Sequence, residues 1–419
     1  MLRKLRKIYS AIRKKGVRHG VFSILHTCVK KIYFRFVPWL AHMFARSIND
    51  NLILFDSISY SDNAKVLSDY ILENTKYKVV WLVDNKAKIE KLNNLKTVNR
   101  VYFTDSTHKH IYSVAAYYYA LKARCVFYTH NFHWVGRKNK GQLFVNIWHG
   151  SGYKASSGIR PANAFDYMVV PGKLFVRSKA EFFECTEDEI LPLGYPRYDL
   201  FKKDGKNKVE DFYTQLGLSN ATKIIIWLPT FIFDEHLLSY SNPLPYIFSG
   251  MPLLETRKQL HELDDLCAKS NIKIIIKKHH YKYSPTPFER YREDLKNILV
   301  LRDDEFKESA IDLYELLPHT DALISDFSSV SVDYLLLDKP IGYVVADIED
   351  YRNTRGFVFD EPRDYMPGEH IYDFEDLKEF VSTVASGIDK KAEERKNALA
   401  VMHSQTENYC ERIVNYFQL

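Results

Sequence analysis

From about residue 50 to about residue 345, short apolar runs alternate with segments of helical periodicity. The stretches NLILFDSI, KVVWLVD, KIIIWLPTF and NIKIIIKKHHY are typical of buried strands, and NAKVLSDYILENT and PLLETRKQLHELDDLCAKS are typical of helices. Continuous apolar strands separated by helices are the pattern of parallel sheets whose faces are covered by crossover helices. The sequence therefore predicts an α/β fold.

The length of the chain predicts more than one domain. It has 419 residues, of which 46% are hydrophobic and 27% charged, whereas a single core stops growing beyond about 250–300 residues. We predict Rossmann-like domains over 49–215 and 216–385, facing a central cleft where such folds bind ligands. A segment at 1–48 precedes them, and a helical segment at 386–419 follows.

The positive charge of the chain is concentrated at its N-terminus. Residues 1–46 contain twelve Lys or Arg and no acid, so the remainder has 59 − 12 = 47 basic residues against 53 acidic ones. The segment is too often interrupted by basic residues to span a bilayer, which takes about 20 consecutive apolar residues. It also lacks the features of a signal peptide.

We therefore predict that this basic amphipathic segment lies on anionic lipid, which makes the protein peripheral at the cytoplasmic face of the membrane. A solvated N-terminus and contact with nucleic acid are the alternatives, and the acidic remainder of the chain argues against nucleic acid. The predicted membrane-binding residues are Arg3, Lys4, Arg6, Lys7, Arg13, Lys14, Lys15 and Arg18.

The cysteines indicate neither a disulfide framework nor a zinc site. There are five, widely scattered and without a CxxC pair, which fits a reducing compartment. No Asp-x-Asp triplet occurs either. We predict a site without a metal or another cofactor. The five cysteines are Cys28, Cys125, Cys185, Cys267 and Cys410.

Four polar segments follow strands of the predicted sheets: IWHGSGYK, WLPTF, IKKHH and ISDFSS. Ligands of open α/β sheets bind at the carboxyl ends of strands, so these segments predict one site. In the first segment, His149 could act as a base, and Gly150 and Gly152 could let the backbone approach a substrate. The alternative is a core histidine at a strand end.

The other three segments contain groups suited to phosphate. Ser328 and Ser329 open a helix, where they could bind a phosphate or simply cap the helix. Lys277 to His280 could compensate an anion and transfer a proton; a metal site and a surface pair without a role are the alternatives. Pro229 and Thr230 form a turn. We interpret His130 and His133, which follow another strand, as rim or packing residues.

In order and approximate spacing, NIWHGSGYK, LPLGYPRYDLF, WLPTF, IIIKKHH and the run from ISDFSS to RGFVFD resemble the CDP-glycerol glycerophosphotransferases of wall teichoic acid synthesis. The resemblance covers roughly residues 50–385. It implies a GT-B fold and a bacterial, peripheral membrane enzyme of cell wall biogenesis. Such an enzyme transfers glycerol phosphate from CDP-glycerol to a hydroxyl of a lipid-linked, undecaprenyl-type acceptor and releases CMP.

The resemblance also implies the site. The family's two essential histidines fall on His149 and His279, which would act as general base and as stabiliser of the developing charge. With Lys277 from the strand-end argument, the predicted donor-binding residues are Gly194, Pro229, Thr230, Lys277, Ser328, Ser329 and Arg355.

The substrate is less sharply defined than the reaction. Residues 151–154 are Ser-Gly-Tyr-Lys where the family usually has Thr-Pro-Leu-Lys, and Lys278 and His280 replace the prolines around the second histidine. The protein could therefore also be a ribitol-phosphate transferase or a capsule-polymer polyol-phosphate transferase. A GT-B sugar transferase using a nucleotide-sugar and a non-catalytic scaffold are further alternatives. The oligomeric state is also open, a homo-oligomer included.

Overall fold

The structure is a computed structural model, which describes most of the chain between residues 32 and 419. The described residues are 32–33, 36–57, 60–83, 90, 92, 101–105, 113–130, 132, 138–155, 164–218, 223–229, 251–277, 294–309 and 311–419. By compactness, the chain divides into one unit of residues 1–148 and 162–168 and a second unit of residues 149–161 and 169–419. The last strand of the first sheet ends at Leu191, and the first strand of the second sheet begins at Lys223.

Among the described residues, the first sheet has seven strands in the order β3-β2-β1-β4-β5-β6-β7. β1 pairs with β2 and β4, β2 with β3, β4 with β5, and β5 with β6, all in parallel. Ile53, Leu54 and Phe55 of β1 are all fully buried, which explains why this strand is a continuous apolar run. The strands are β1 Asn49–Asp56, β2 Lys78–Val83, β3 Val101–Asp105, β4 Ala123–Tyr128, β5 Leu143–Asn146, β6 Tyr167–Val169 and β7 Ile190–Leu191.

Within the described part of the chain, the second sheet has six strands in the order β10-β9-β8-β11-β12-β13, and all its neighbouring strands pair in parallel. Its core contains Ile225 and Trp227 of β8 and Ile274 and Ile276 of β9. The α/β fold with parallel sheets is therefore confirmed. The strands are β8 Lys223–Leu228, β9 Ile272–Lys277, β10 Ile298–Leu301, β11 Ala322–Ser325, β12 Ile341–Val344 and β13 Glu369–Ile371.

Helices connect most of these strands, as the alternating pattern predicts. Residues 36–44 are also helical, and within the described residues no helix is long and apolar enough to cross a membrane. The α-helices are α1 Asp62–Asn74, α2 Val114–Lys122, α3 Val176–Phe183, α4 Lys206–Gln215, α5 Arg257–Lys269, α6 Asp303–Glu308, α7 Leu313–Leu316, α8 Ser329–Tyr334, α9 Ile348–Thr354, α10 Phe374–Ser386, α11 Ala392–Met402 and α12 Tyr409–Tyr416. The 3-10 helices are Lys173–Phe175, Glu187–Glu189, Pro196–Lys202, Leu317–His319, Leu335–Leu337 and Pro362–Tyr365.

The register of the second sheet brings three predicted site segments to one edge. Ser325, the last residue of β11, lies opposite Leu228, the last residue of β8. Trp227 of β8 lies opposite Ile276, one residue before the end of β9. The carboxyl ends of β8, β9 and β11 are therefore level. They lead into the segments containing Pro229, Lys277 and the serine pair respectively.

One buried carboxylate connects helix and sheet in this unit and provides a test of the fold. Asp264 of α5 accepts hydrogen bonds from the backbone N–H groups of Asn297, at 2.7 Å, and Ile298, at 3.0 Å. Replacing it with alanine leaves these donors without their acceptor. A buried donor without a partner destabilises the folded state by about 1–3 kcal/mol. We expect Asp264→Ala to lower the free energy of unfolding by about 2 kcal/mol in urea denaturation.

The neighbouring Asp265 is exposed, so Asp265→Ala serves as the control and should change the free energy of unfolding by less than about 0.5 kcal/mol. Equal effects of the two substitutions would contradict this account of how α5 and β10 are joined.

Candidate active site

The polypeptide turns sharply after β5 and exposes a histidine. Trp148 has a left-handed backbone, with φ at 44°. Its N–H donates to Oδ1 of Asn146 at 2.8 Å, and its carbonyl accepts from Nδ2 of Asn63 at 2.9 Å. These bonds hold a conformation that a bulky residue rarely adopts. Whereas Ile147 and Trp148 are buried, His149 is exposed, so it is not a core histidine.

The two glycines after His149 pack against the start of α8. A Cβ atom on Gly152 would lie 2.9 Å from Cα and 3.1 Å from N of Ser329, and one on Gly150 would overlap the Ser329 hydroxyl. Gly150 also has φ at +148°. Only glycine therefore fits at either position. The sequence predicts that these glycines let the backbone approach a substrate, but their closest neighbour in the structure is Ser329.

Hydrogen bonds to side chains hold the loop that follows. The hydroxyls of Ser151 and Tyr195 share a hydrogen bond of 2.7 Å. The hydroxyl of Tyr153 donates to the carbonyl of Tyr365 at 2.9 Å. Ser151 and Tyr153 are both fully buried. The loop is thus anchored on each side of Gly152.

The same loop pairs with the segment after α9. Val358 N–H donates to the carbonyl of Tyr153 at 2.8 Å, and Ala155 N–H donates to the carbonyl of Gly356 at 3.1 Å. Lys154 lies between these bonds, opposite Phe357. The pairing brings residues 153–155 next to the segment that begins at Arg355, a predicted donor-binding residue.

A buried ion pair ties the backbone of His149 to α8. Arg197 donates from Nη1 to the carbonyl of His149 at 3.0 Å and pairs through Nη2 with Asp333 of α8 at 2.6 Å. The hydroxyls of Tyr198 and Tyr314 also donate to Asp333. Arg197 is 4% exposed and Asp333 is fully buried.

Neither charged residue of this pair is among the site residues predicted from the sequence. Arg197 follows Pro196 in LGYPRYDLF, and Asp333 interrupts the apolar run VSVDYLLL. Charged residues are almost never fully buried unless they are paired. A lone acid within an apolar helical run was therefore an available signal, although it does not name the partner.

Charged groups of both signs surround Lys154. Burial lowers the pKa of Lys154, while nearby Asp326 raises it and Arg355 lowers it further. Burial, together with the charge of Asp326, raises the pKa of Asp347 to about 6. Lys154 and Arg355 thus supply positive charge next to two carboxyl groups, one of which gains a proton near pH 6.

The serine pair begins α8 without using its side chain as a cap. Ser328 is in the N-cap position with an extended backbone, and its side chain makes no capping hydrogen bond. Its carbonyl instead accepts from the hydroxyl of Ser331 at 2.8 Å. Ser328 and Ser329 are both partly exposed. The interpretation as a plain serine cap therefore does not fit the geometry.

The remaining predicted donor-binding residues that the structure describes are Pro229, Lys277 and Gly194, and they differ in burial and in their neighbours. Pro229 is buried directly after β8, and the ammonium of Lys277 lies 5.0 Å from the ring centre of Phe306. Gly194 is buried with φ at +82°, and a Cβ there would overlap the ring of Tyr409. The positive φ and the ring of Tyr409 together account for glycine at position 194. A contact between Gly194 and the donor stays a prediction.

Several predicted residues lie outside the described part of the chain: His279, Thr230, His133 and the membrane-binding residues from Arg3 to Arg18. His130 is described, and its Nδ1 lies 2.8 Å from the hydroxyl of Thr129, while burial lowers its pKa. Among the described residues, no cluster of three or more His, Cys, Asp or Glu could hold a metal ion.

The family model for CDP-glycerol:poly(glycerophosphate) glycerophosphotransferase matches residues 39–418. The chain belongs to this family. It is similar to the teichoic acid poly(glycerol phosphate) polymerase of Bacillus spizizenii, with 28% identity over 346 residues, 74% of this chain and 78% of the relative. It is also similar to the teichoic acid ribitol-phosphate primase of the same species, with 25% identity over 293 residues, 62% and 69% of the two chains.

The fold agrees with that of a solved wall teichoic acid polymerase. The wall teichoic acid polymerase TagF superposes with a TM-score of 0.69 at 18% identity, covering 95% of this chain and 96% of that chain. The GT-B fold predicted from the resemblance is confirmed, and so is the prediction of a transferase of teichoic acid synthesis.

The contact of the glycine loop with Ser329 predicts a sensitive position in this glycerophosphotransferase. Gly152→Ala places a methyl group against the backbone of Ser329, which cannot yield as a flexible side chain would. We expect the loop to shift and the rate of CMP release from CDP-glycerol to fall about tenfold or more, because catalytic geometry tolerates displacements of less than about 1 Å.

Gly205→Ala is the matched control, since a Cβ there meets no atom closer than 3.9 Å. It should leave the rate of CMP release within about twofold of the wild type. Wild-type CMP release by Gly152→Ala would show that the position of this loop is unimportant.

Proposed function

We propose that the protein transfers glycerol phosphate from CDP-glycerol to a hydroxyl of a lipid-linked, undecaprenyl-type acceptor and releases CMP. Membership of the glycerophosphotransferase family supports the donor and the reaction class. The main support for the location of the active site is the packing of the loop after His149 on Ser329. A group able to accept a proton and a pair of hydroxyls suited to phosphate belong to one local structure.

His149 is the general base in this proposal. Its imidazole accepts the proton of the acceptor hydroxyl, whose oxygen forms a new bond to the phosphorus that bears glycerol. The bond from that phosphorus to the bridging oxygen breaks, and the oxygen leaves with CMP. Such proton transfer contributes about 10²–10⁴-fold to a rate. His279 stabilises the negative charge that develops on the phosphate groups.

The donor pyrophosphate is held by hydroxyls and cations rather than by a metal or another cofactor. We assign Ser328, Ser329, Lys277 and Arg355 to the phosphates, because phosphoryl transfer requires mainly positioning and charge stabilisation. The level ends of β8, β9 and β11 support one location for most of these groups. Around the nucleotide we place Gly194, Pro229 and Thr230.

Ribitol phosphate is the second candidate for the transferred group. The similarity to a ribitol-phosphate primase favours it specifically, since that relative is nearly as similar to this chain as the glycerol-phosphate polymerase. The two polyol phosphates share the phosphate chemistry of the site and differ only in chain length and number of hydroxyls. The donor therefore has to be chosen by experiment.

The direct test is CMP release by the full-length protein with CDP-glycerol or CDP-ribitol and a lipid-linked disaccharide acceptor. We expect release from one donor, reduced about 10²–10⁴-fold in His149→Ala because the base is lost. His261→Ala on α5 is the control, since its ring bonds to Arg257, and it should keep the wild-type rate. A full rate in His149→Ala would contradict His149 as the base.

We further propose that the protein works at the cytoplasmic face of the membrane, bound to anionic lipid. The described helix 36–44 supports this. Phe36, Trp39 and Met43, at positions i, i+3 and i+7, are 53%, 57% and 41% exposed. The opposite face is buried. All the Lys, Arg, Asp and Glu residues within 1–46 are basic, so this apolar stripe belongs to a positively charged part of the sequence, a combination typical of interfacial helices.

This surface can be tested by replacing Phe36 and Trp39 together with serine. Full burial of one aromatic ring contributes about 1.5–3 kcal/mol. About half of each ring is exposed, so burying both in lipid contributes about 1.5–3 kcal/mol in total. We therefore expect the double variant to bind anionic vesicles about 10- to 100-fold more weakly in a sedimentation assay. Val401→Ser, on an equally exposed apolar residue of α11, should bind as the wild type does. Unchanged binding by the double variant would contradict the proposed membrane surface.

A further inference from the structure

Arg197 is a buried cation with a defined link to the proposed base. Its Nη1 donates to the carbonyl of His149 at 3.0 Å, and its Nη2 lies 2.6 Å from the carboxylate of Asp333. We infer that Arg197 is a positioning residue, which fixes the backbone of His149 and so directs the imidazole. This inference rests on the proposed role of His149.

Asp333 gives Arg197 a fixed support. The carboxylate is fully buried and accepts hydrogen bonds from Tyr198 and, at 2.5 Å, from Tyr314 as well as from Arg197. Leaving a buried charge unpaired is strongly destabilising. The position of the guanidinium relative to α8 is therefore narrowly determined.

The ring systems next to Arg197 restrict it further. Its guanidinium carbon lies 4.5 Å from the ring centre of Tyr314 and 5.3 Å from that of Tyr195. Tyr195 also bonds to Ser151 at 2.7 Å. Residues 195 and 197 thus hold the chain on both sides of Gly150, whose own Cα faces the side chain of Ser329.

These contacts tie the base and the serine pair to one helix. Asp333 is four residues after Ser329, about one turn further along α8. The carbonyl of His149 is held through Arg197 to Asp333, and the following glycine touches Ser329. Because the peptide of His149 is fixed, its ring can reorient only about its side-chain torsions.

Lysine cannot take over this geometry. The guanidinium donates from two nitrogens in a rigid fork, whereas an ammonium is a single point charge on a flexible stem. Arg197→Lys keeps the positive charge beside Asp333 but loses the fixed second donor. Since a displacement of about 1 Å can cost about 10²-fold in rate, we expect kcat to fall about 30- to 100-fold. The KM for CDP-glycerol should stay within about threefold, because Arg197 is buried and its Nη1 and Nη2 already bond to the His149 carbonyl and to Asp333.

Arg395→Lys is the matched control. Arg395 is 1% exposed and pairs with Asp389 at 2.5 Å and with Asp338 at 3.3 Å, so it is equally buried and equally paired. Arg395 lies on α11 and pairs with residues outside the loop that contains His149. The control should lower thermal stability while leaving kcat for CMP release near the wild-type value.

A double-mutant cycle separates positioning from a general structural role. If Arg197 acts through His149, Arg197→Lys should lower kcat less than about twofold in the His149→Ala background. An equal fold-loss in both backgrounds would overturn the inference. A His149→Ala single variant with full activity would instead overturn the proposed function, and the two failures are therefore distinguishable.

Tyr314→Phe provides a milder second variant in case Arg197→Lys does not fold. It keeps the ring beneath the guanidinium and removes only the hydrogen bond to Asp333. We expect a fall in kcat of about three- to tenfold in the wild type and none in the His149→Ala background. No fall in the wild type, from either variant, would overturn the role of the Arg197–Asp333 pair.

Discussion

The ion pair between Arg197 and Asp333 is the constraint on which the candidate site depends. Removing two charges from water costs several kcal/mol per ion, so such a pair persists only with close geometry and further hydrogen bonds. Both conditions hold. Two tyrosine hydroxyls donate hydrogen bonds to Asp333, and Nη1 of Arg197 donates to the His149 carbonyl. The result is a rigid connection among three segments distant in sequence.

The same need for close geometry explains the small residues of the loop. Gly150 and Gly152 let the backbone after His149 lie directly on Ser329, which shortens the distance between the proposed base and the proposed phosphate-binding serines. Beyond the glycines, residues 153–155 pair with 356–358. This pairing adds the cations Lys154 and Arg355 to the neighbourhood. In the proposed function these two cations offset the neighbouring carboxyl groups of Asp326 and Asp347 as well as the charge of an anionic substrate.

Much of this could be predicted from the sequence. The period of the apolar runs predicted parallel sheets, and the rule that ligands lie at the carboxyl ends of strands predicted a common location for the polar segments. The structure agrees on the strands and on the level ends of β8, β9 and β11. The roles of all the predicted site residues stay predictions, and His279 and Thr230 also lie outside the described part of the chain.

The missed features are those that depend on tertiary partners. Arg197 and Asp333 are 136 residues apart, and no local pattern connects them. Gly150 and Gly152 were correctly singled out as sites of close approach, but the sequence could not show that the approaching group is Ser329. Likewise, helix 36–44 has both an exposed and a buried apolar face. Composition alone does not separate the part that packs in the core from the part available to lipid.

The most direct measurement of the central claim is a crystal structure of the protein with CDP-glycerol bound. The account predicts that phosphate oxygens lie within hydrogen-bond distance, about 3 Å, of the hydroxyls of Ser328 and Ser329. The His149 ring should face the phosphorus that bears glycerol. A donor whose phosphates bind elsewhere, with His149 turned away from them, would contradict the account.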